Sequence, residues 1–100
     1  MKMTFDAEAG AAYIQLVPKI ETVDDSWPLD GPIAGINDVI VDLDGDRNVL
    51  GVEILCRDGE GPERILAAIA DETIANALAA EGFEVPRLRG NPVVSVQQIG

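Results

Sequence analysis

Two segments in the middle of the chain have apolar residues at every second position. They span residues 39–43 and 49–55 and are rich in valine, isoleucine and leucine. A period of two with β-branched residues is typical of a strand that buries one of its faces. Residues 44–48, DGDRN, lie between the segments and have the composition of a hairpin loop. The pattern therefore predicts a β-hairpin.

The N-terminal part predicts a β-meander. Residues 1–5 and 12–17 are candidate strands, and a further short strand is expected over residues 20–24. Residues 24–37 are rich in proline, glycine and aspartate and predict a long loop that carries Trp27. Trp27 either covers the core or is exposed at an interface, since tryptophan is enriched at binding hot spots.

The pattern changes to helical spacing after residue 61. Pro62 suits a first helical position, and apolar residues with helical spacing continue to Ala80. A five-residue step from Ile69 to Ile74 leaves two alternatives: one largely buried helix, or a break near Asp71 with a second helix after it. Residues 83–92 predict irregular structure, with a possible final strand before the C-terminus.

These elements predict an α+β fold. We expect a mainly antiparallel sheet of four to five strands, a meander plus a hairpin, with one long or two short α-helices packed on one face. Residues 1–82 are predicted to form a single domain, with a β region at 1–55 and a helical region at 62–81. Residues 83–100 are predicted to be an irregular C-terminal tail.

Charge and composition exclude several classes of function. The chain has 18 acidic and 7 basic residues and a formal net charge of −11, which argues against binding to nucleic acid or to an anionic membrane. The acidity favours solubility or, alternatively, a basic protein partner. No apolar run is long enough to span a bilayer, and the N-terminus lacks a signal-peptide pattern, so we expect a cytoplasmic protein.

Candidate catalytic chemistry is sparse. The chain has no histidine and one cysteine, Cys56, so a hydrolase triad and an internal disulfide are both disfavoured, and Cys56 is expected to be a small buried side chain. Glu53 is the strongest candidate for acid–base work, but its position inside a strand is typical of a solvent-facing residue. We expect neither an enzyme nor a bound cofactor.

Residues 42–53, DLDGDRNVLGVE, have the ligand spacing of an EF-hand calcium loop. Arg47 stands where that loop needs a glycine, and β-branched residues flank the segment instead of helices. A polar turn is therefore favoured, and Asp42, Asp44 and Asp46 are only weak candidates for a metal site.

Two segments resemble a known family. Residues 5–16, FDAEAGAAYIQL, and residues 41–55, VDLDGDRNVLGVEIL, are similar to the YuzE-like bacterial family of small domains of unknown function. The resemblance implies a small antiparallel sheet with a helix, and it implies no catalytic residues. Some members of the family look like antitoxin partners of small toxins.

We therefore expect a non-enzymatic interaction or self-associating module, with a homodimer favoured and an antitoxin-like role among the options. Trp27 and Tyr13 are the candidate interaction residues. The alternative is a protein that binds a divalent metal or a small molecule at the aspartate-rich hairpin.

Overall fold

The computed structural model describes residues 1–30, 36, 38–56 and 62–99. Six strands form one mixed sheet in the spatial order β3-β4-β5-β2-β1-β6. The strands are β1 (Lys2–Asp6), β2 (Ala11–Gln15), β3 (Asp25–Pro28), β4 (Asp38–Leu43), β5 (Val49–Leu55) and β6 (Ser95–Ile99). All neighbouring strands are antiparallel except β1 and β6, which are parallel. The helices are α1 (Pro62–Ala70) and α2 (Thr73–Ala80), followed by a 3-10 turn (Pro86–Leu88).

The predicted α+β class is confirmed, and the details of the sheet need correction. The sheet has six strands instead of four or five, and it is mixed because β6 runs parallel to β1. The chain returns to this edge through α1 and α2, and a parallel pair needs a long crossover of that kind. Of the two alternatives for the helical region, the structure has two short helices.

The region before β4 also differs from the prediction. Residues 20–24, where a strand was expected, contain none, and β3 instead forms at 25–28 inside the predicted loop. Isolated alternation in residues 20–24 is a weak signal, and β3 is held by pairing with β4. Most of the remaining predicted loop, residues 31–35 and 37, lies outside the described residues.

One face of the sheet packs against the helices and forms the core. Strands β1, β2, β4 and β5 contribute alternate apolar residues, and the helices contribute their apolar stripe. Within the described ranges, the buried residues other than Gly51 are hydrophobic, and no polar or charged residue is buried. The chain after α2 adds Phe83, Val85 and Leu88 to the same core, and Cys56 is buried at its margin as expected.

The break between the helices lies at Asp71 and Glu72. Glu72 has a left-handed backbone with φ 64°, and Asp71 Oδ1 accepts a 2.9 Å hydrogen bond from the Thr73 backbone N–H. The Thr73 hydroxyl and N–H groups hold the pKa of Asp71 below its usual value. This break resets the helical phase, so Ile69 and Ile74 are both buried despite their five-residue separation.

No helix within the described ranges is long and apolar enough to cross a membrane.

Candidate functional site on the open sheet face and its edges

The face of the sheet opposite the core carries no helix of the described part of the chain, and we call it the open face. The register aligns its side chains in rows across the strands. One row runs through Thr4, Tyr13, Glu53 and Ile40, and the next runs through Gln15, Gly51, Asp42 and Ser26. Most of these residues are partly exposed, so their side chains form a surface of the protein.

Tyr13 links three strands of the open face. Its hydroxyl donates a 2.9 Å hydrogen bond to Asp42 Oδ2, and the Ser26 hydroxyl donates a 2.8 Å hydrogen bond to Asp42 Oδ1. Partial burial raises the pKa of Tyr13, as do the hydrogen bond to Asp42 and the nearby negative charges of Asp42 and Glu53. Both Asp42 oxygens are therefore engaged in a network from β2 to β3.

Gly51 makes this network possible. It stands on β5 between Tyr13 and Asp42, and a Cβ at position 51 would lie 2.1 Å from the Tyr13 hydroxyl oxygen. No role beyond its place in the family-like segment was predicted for Gly51, although an isolated glycine inside a strand often marks a close approach. Here the close neighbour is the Tyr13 side chain. Tyr13, predicted as an interaction residue, thus already has an internal partner.

The aspartate-rich hairpin is organised by Asp44. Its Oδ1 accepts hydrogen bonds from the backbone N–H groups of Asp46 (2.9 Å) and Asn48 (2.8 Å), and its Oδ2 accepts from the Asn48 side-chain amide. The backbone and side-chain bonds from Asn48, followed by the bond from Asp46, lower the pKa of Asp44. Asp44 therefore stabilises the turn.

The three weak candidates for a metal site are not gathered into one. Asp42 is directed toward Tyr13 and Ser26, while Asp44 binds its own turn. Across the described residues, no three side chains of His, Cys, Asp or Glu are placed to hold a metal ion. The hairpin has the geometry of the polar turn that the sequence favoured.

Arg47 lies at the corner of this hairpin and reaches the core side of the sheet. Its backbone is left-handed, with φ 65°. Its guanidinium carbon lies 5.6 Å from the centroid of the Trp27 ring and 5.4 Å from that of Phe83. Trp27 in turn contacts Phe83 edge to face, with centroids 6.1 Å apart. Trp27 thus covers one end of the core and still exposes 40% of its surface.

The sheet ends in two different edges. At one edge, β3 has four residues, begins with Asp25 and ends with Pro28. At the other, β6 has the sequence SVQQI, and all five of its residues are exposed. Charged residues and proline protect natural sheet edges from further pairing, and β6 has neither.

A small pocket on the open face contains the acid–base candidate Glu53. Asp6, Tyr13 and Ile99 also line it, and its volume is about 140 Å³, below the usual size of a small-molecule site. Asp6 Oδ1 accepts the backbone N–H groups of Glu8 and Ala9, so this carboxylate holds the β1–β2 turn.

Comparison with known proteins places the strand region in a family. The family described as protein of unknown function (DUF2283) matches residues 2–56, which is more than half of the chain. The chain belongs to this family. The predicted YuzE-like resemblance is consistent with that membership. No curated protein and no solved structure matches the chain significantly.

The family match ends before the first helix begins. It contains β1 to β5 and the network of Tyr13, Asp42 and Ser26. The helices, the 3-10 turn and β6 follow the matched segment. The exposed edge of the sheet is therefore formed by a part of this chain outside the family match.

Proposed function

We propose that the protein is a non-enzymatic self-associating module in which two copies pair through β6. The observation that carries this proposal is the β6 edge, an exposed strand of five residues without charge or proline at the end of a six-stranded sheet. An unprotected edge offers backbone N–H and C=O groups to another strand. Antiparallel pairing of two β6 strands about a two-fold axis would join two sheets into one.

The hydrogen-bond pattern identifies which groups of β6 are available. Ser95 N–H donates to Met1 C=O, and Ile99 C=O accepts from Ala7 N–H, so these positions are bonded to the β1 side. Backbone groups alternate in direction along a strand. Val96 and Gln98 therefore direct their N–H and C=O groups away from β1, toward a partner strand.

Charge favours this edge over the rest of the surface. Two copies of a protein with a net charge of −11 repel each other. Residues 91–99, NPVVSVQQI, contain no charged side chain, so pairing of two β6 strands places no like charges of these segments against each other. Val96 and Ile99 are 38% and 46% exposed, and pairing would add apolar burial to the backbone hydrogen bonds.

The alternative occupant of the same β6 edge is a basic protein partner. An antitoxin-like role for this protein belongs to that alternative. Net charge and the family resemblance support them, and both supports are less specific than the exposed strand. No observation favours the metal-binding alternative, because the carboxylates of Asp42 and Asp44 are engaged internally.

The test is molar mass as a function of concentration. Light scattering after size exclusion should show a mass that rises from 10.6 kDa toward twice that value between micromolar and millimolar protein. Gln98→Pro removes an outward N–H and should keep the protein monomeric. Gln98→Ala is the matched control, since it loses the same side chain but keeps the N–H, and it should still dimerise.

Hydrogen exchange locates the interface independently. The amides of Val96 and Gln98 should exchange more slowly as protein concentration rises, while that of Ser95 should not depend on it. A mass that stays at 10.6 kDa at millimolar concentration would refute self-association. Dimerisation that survives Gln98→Pro would place the interface elsewhere.

A further inference from the structure

We infer that a pocket at the rim of the sheet, where β1 begins and β2 ends, binds a small molecule that carries a phosphate or a carboxylate group. Lys2, Gln15, Leu16, Arg87 and Ser95 are among its lining residues, and its volume is about 270 Å³. This volume approaches the lower end of small-molecule sites. The pocket is distinct from the outward groups of β6, and the inference does not depend on self-association.

The charge of the pocket is opposite to that of the protein. Among the described residues, the charged side chains that line it are Lys2 and Arg87, and no aspartate or glutamate lines it. The chain as a whole has 18 acidic and 7 basic residues. Two basic side chains in a concave site without an acidic residue therefore form a local positive region on an acidic protein.

Other basic residues of the described chain have partners. Lys19 pairs with Glu21 at 3.7 Å, and Arg89 pairs with Glu84 at 2.7 Å, while Arg47 lies over two aromatic rings. Lys2 and Arg87, in contrast, form no ion pair with any carboxylate of the described residues. Their charges are available to a ligand.

Arg87 is held in position for this role. Its Nη1 donates a hydrogen bond to the Leu16 backbone C=O, which joins the 3-10 turn to the end of β2. A guanidinium has five N–H donors in a planar fork that matches a carboxylate or a phosphate. The remaining donors and the Lys2 ammonium can therefore bind one anionic group together.

A small ligand fits better than a polyanion. The net charge of −11 repels large anions at long range, while the pocket itself is concave and lies at the rim of the sheet. A phosphate and a carboxylate both present two or three oxygens that share negative charge. These oxygens can accept hydrogen bonds from both basic side chains.

The test is a nuclear magnetic resonance titration with inorganic phosphate and, separately, with citrate at constant ionic strength. We expect saturable shifts of the backbone amides of Lys2, Gln15 and Arg87. Saturation with phosphate would assign a phosphate ligand, and saturation with citrate alone would assign a carboxylate. Both outcomes support the pocket.

Matched variants locate the binding. Lys2→Gln, at an exposed position, should raise the dissociation constant about tenfold or more, because a charge-assisted hydrogen bond is lost. Lys19→Gln makes the same charge change outside the pocket and should leave the constant unchanged. Arg87→Lys keeps the charge but not the fork and should weaken binding less than Arg87→Gln.

The inference is overturned if neither anion produces saturable shifts, or if Lys19→Gln weakens binding as much as Lys2→Gln. In the latter case, the net charge of the protein and not the pocket would determine binding. An unchanged mass in the self-association experiment would leave the pocket result unaffected.

Discussion

The two edges of the sheet are held in different ways. Side chains fasten β3 to the rest of the protein: Ser26 bonds to Asp42, and Trp27 packs on Phe83. β6 is joined to β1 by backbone pairing, and its residues are all exposed, as those of β3 are. One edge strand of the sheet is thus held by specific side-chain contacts, while the other is held mainly by backbone hydrogen bonds.

The difference shows that edge protection need not be uniform. β3 is short and ends in Pro28, which has no N–H to offer, and Arg47 covers its aromatic residue. β6 has a neutral sequence without proline. If both edges were open, the sheet could extend without limit, whereas one open edge permits a closed dimer.

The largest expected effect comes from removing the anchor of the β3 edge. Phe83 is 4% exposed and contacts both Trp27 and Arg47. Phe83→Ala should lower the free energy of unfolding by about 3 kcal/mol, through lost burial and a cavity. Urea denaturation measures this loss of unfolding free energy. Val93→Ala, at a residue 84% exposed, is the control and should change stability by less than about 0.5 kcal/mol. Equal losses would show that the Phe83 anchor is unimportant.

The network that joins β2 to β3 can be broken at Gly51. Gly51→Ala places a methyl group against the Tyr13 ring and should cost about 2 kcal/mol of unfolding free energy. In a Tyr13→Ala background, Gly51→Ala should lower the free energy of unfolding much less, because the Tyr13 ring that the methyl group would meet is absent. A double-mutant cycle from denaturation curves gives the coupling, and additive costs would contradict the close approach.

A smaller effect separates two roles of Arg47. Arg47→Ala loses the cation–π contacts and keeps a left-handed backbone, so it should destabilise the protein by about 1 kcal/mol. Arg47→Gly loses the same contacts but relieves the left-handed backbone, so its unfolding free energy should lie close to that of the original protein. If both variants lose the same stability, backbone strain at position 47 is negligible.

The smallest effect depends on pH and concerns the hairpin turn. Folding lowers the pKa of Asp44 below its ordinary value of 3.8, so the folded state binds fewer protons. The contribution of the Asp44 charge to stability is therefore present above pH 3.8 and is lost as the pH falls through the pKa of Asp44 in the folded state. Asp44→Ala should therefore reduce the urea midpoint at neutral pH, and the difference should shrink at pH below 3.8.

Asp46→Ala provides the comparison for this titration. The Asp46 backbone N–H donates to Asp44, and the Asp46 side chain is not needed for that bond. The urea midpoint of Asp46→Ala at neutral pH should therefore shift less than that of Asp44→Ala. A difference between Asp44→Ala and the original protein that persists unchanged in acid would exclude the charge of Asp44 as the cause.

Much of the fold was predictable from local pattern. The strands of the hairpin and the alternation of β2 were predicted because a period of two reports which residues face the core. The broken helix was one of two alternatives, and Asp71 signalled it. The polar turn at residues 44–48 was favoured over a calcium loop, since Arg47 and the flanking β-branched residues were visible in the sequence.

The candidate sites were much less predictable. Trp27 and Tyr13 were identified, but their internal partners, Phe83 and Asp42, lie far from them in sequence. No role was predicted for Gly51, because its role depends on the Tyr13 ring from a neighbouring strand. No sequence pattern predicted β3, which depends on pairing with β4.

The sequence by itself determined the composition of the core, the strand and helix periods, the hairpin turn and the acidity of the surface, because each depends on residue type and near neighbours. Tertiary structure alone decided which strands stand at the edges, and that β6 runs parallel to β1. It also brought Arg87 to Leu16, 71 residues away, beside the pocket that Lys2 lines. Such placements result from packing the whole chain, because contacts between distant residues form only when sheet and helices share one core.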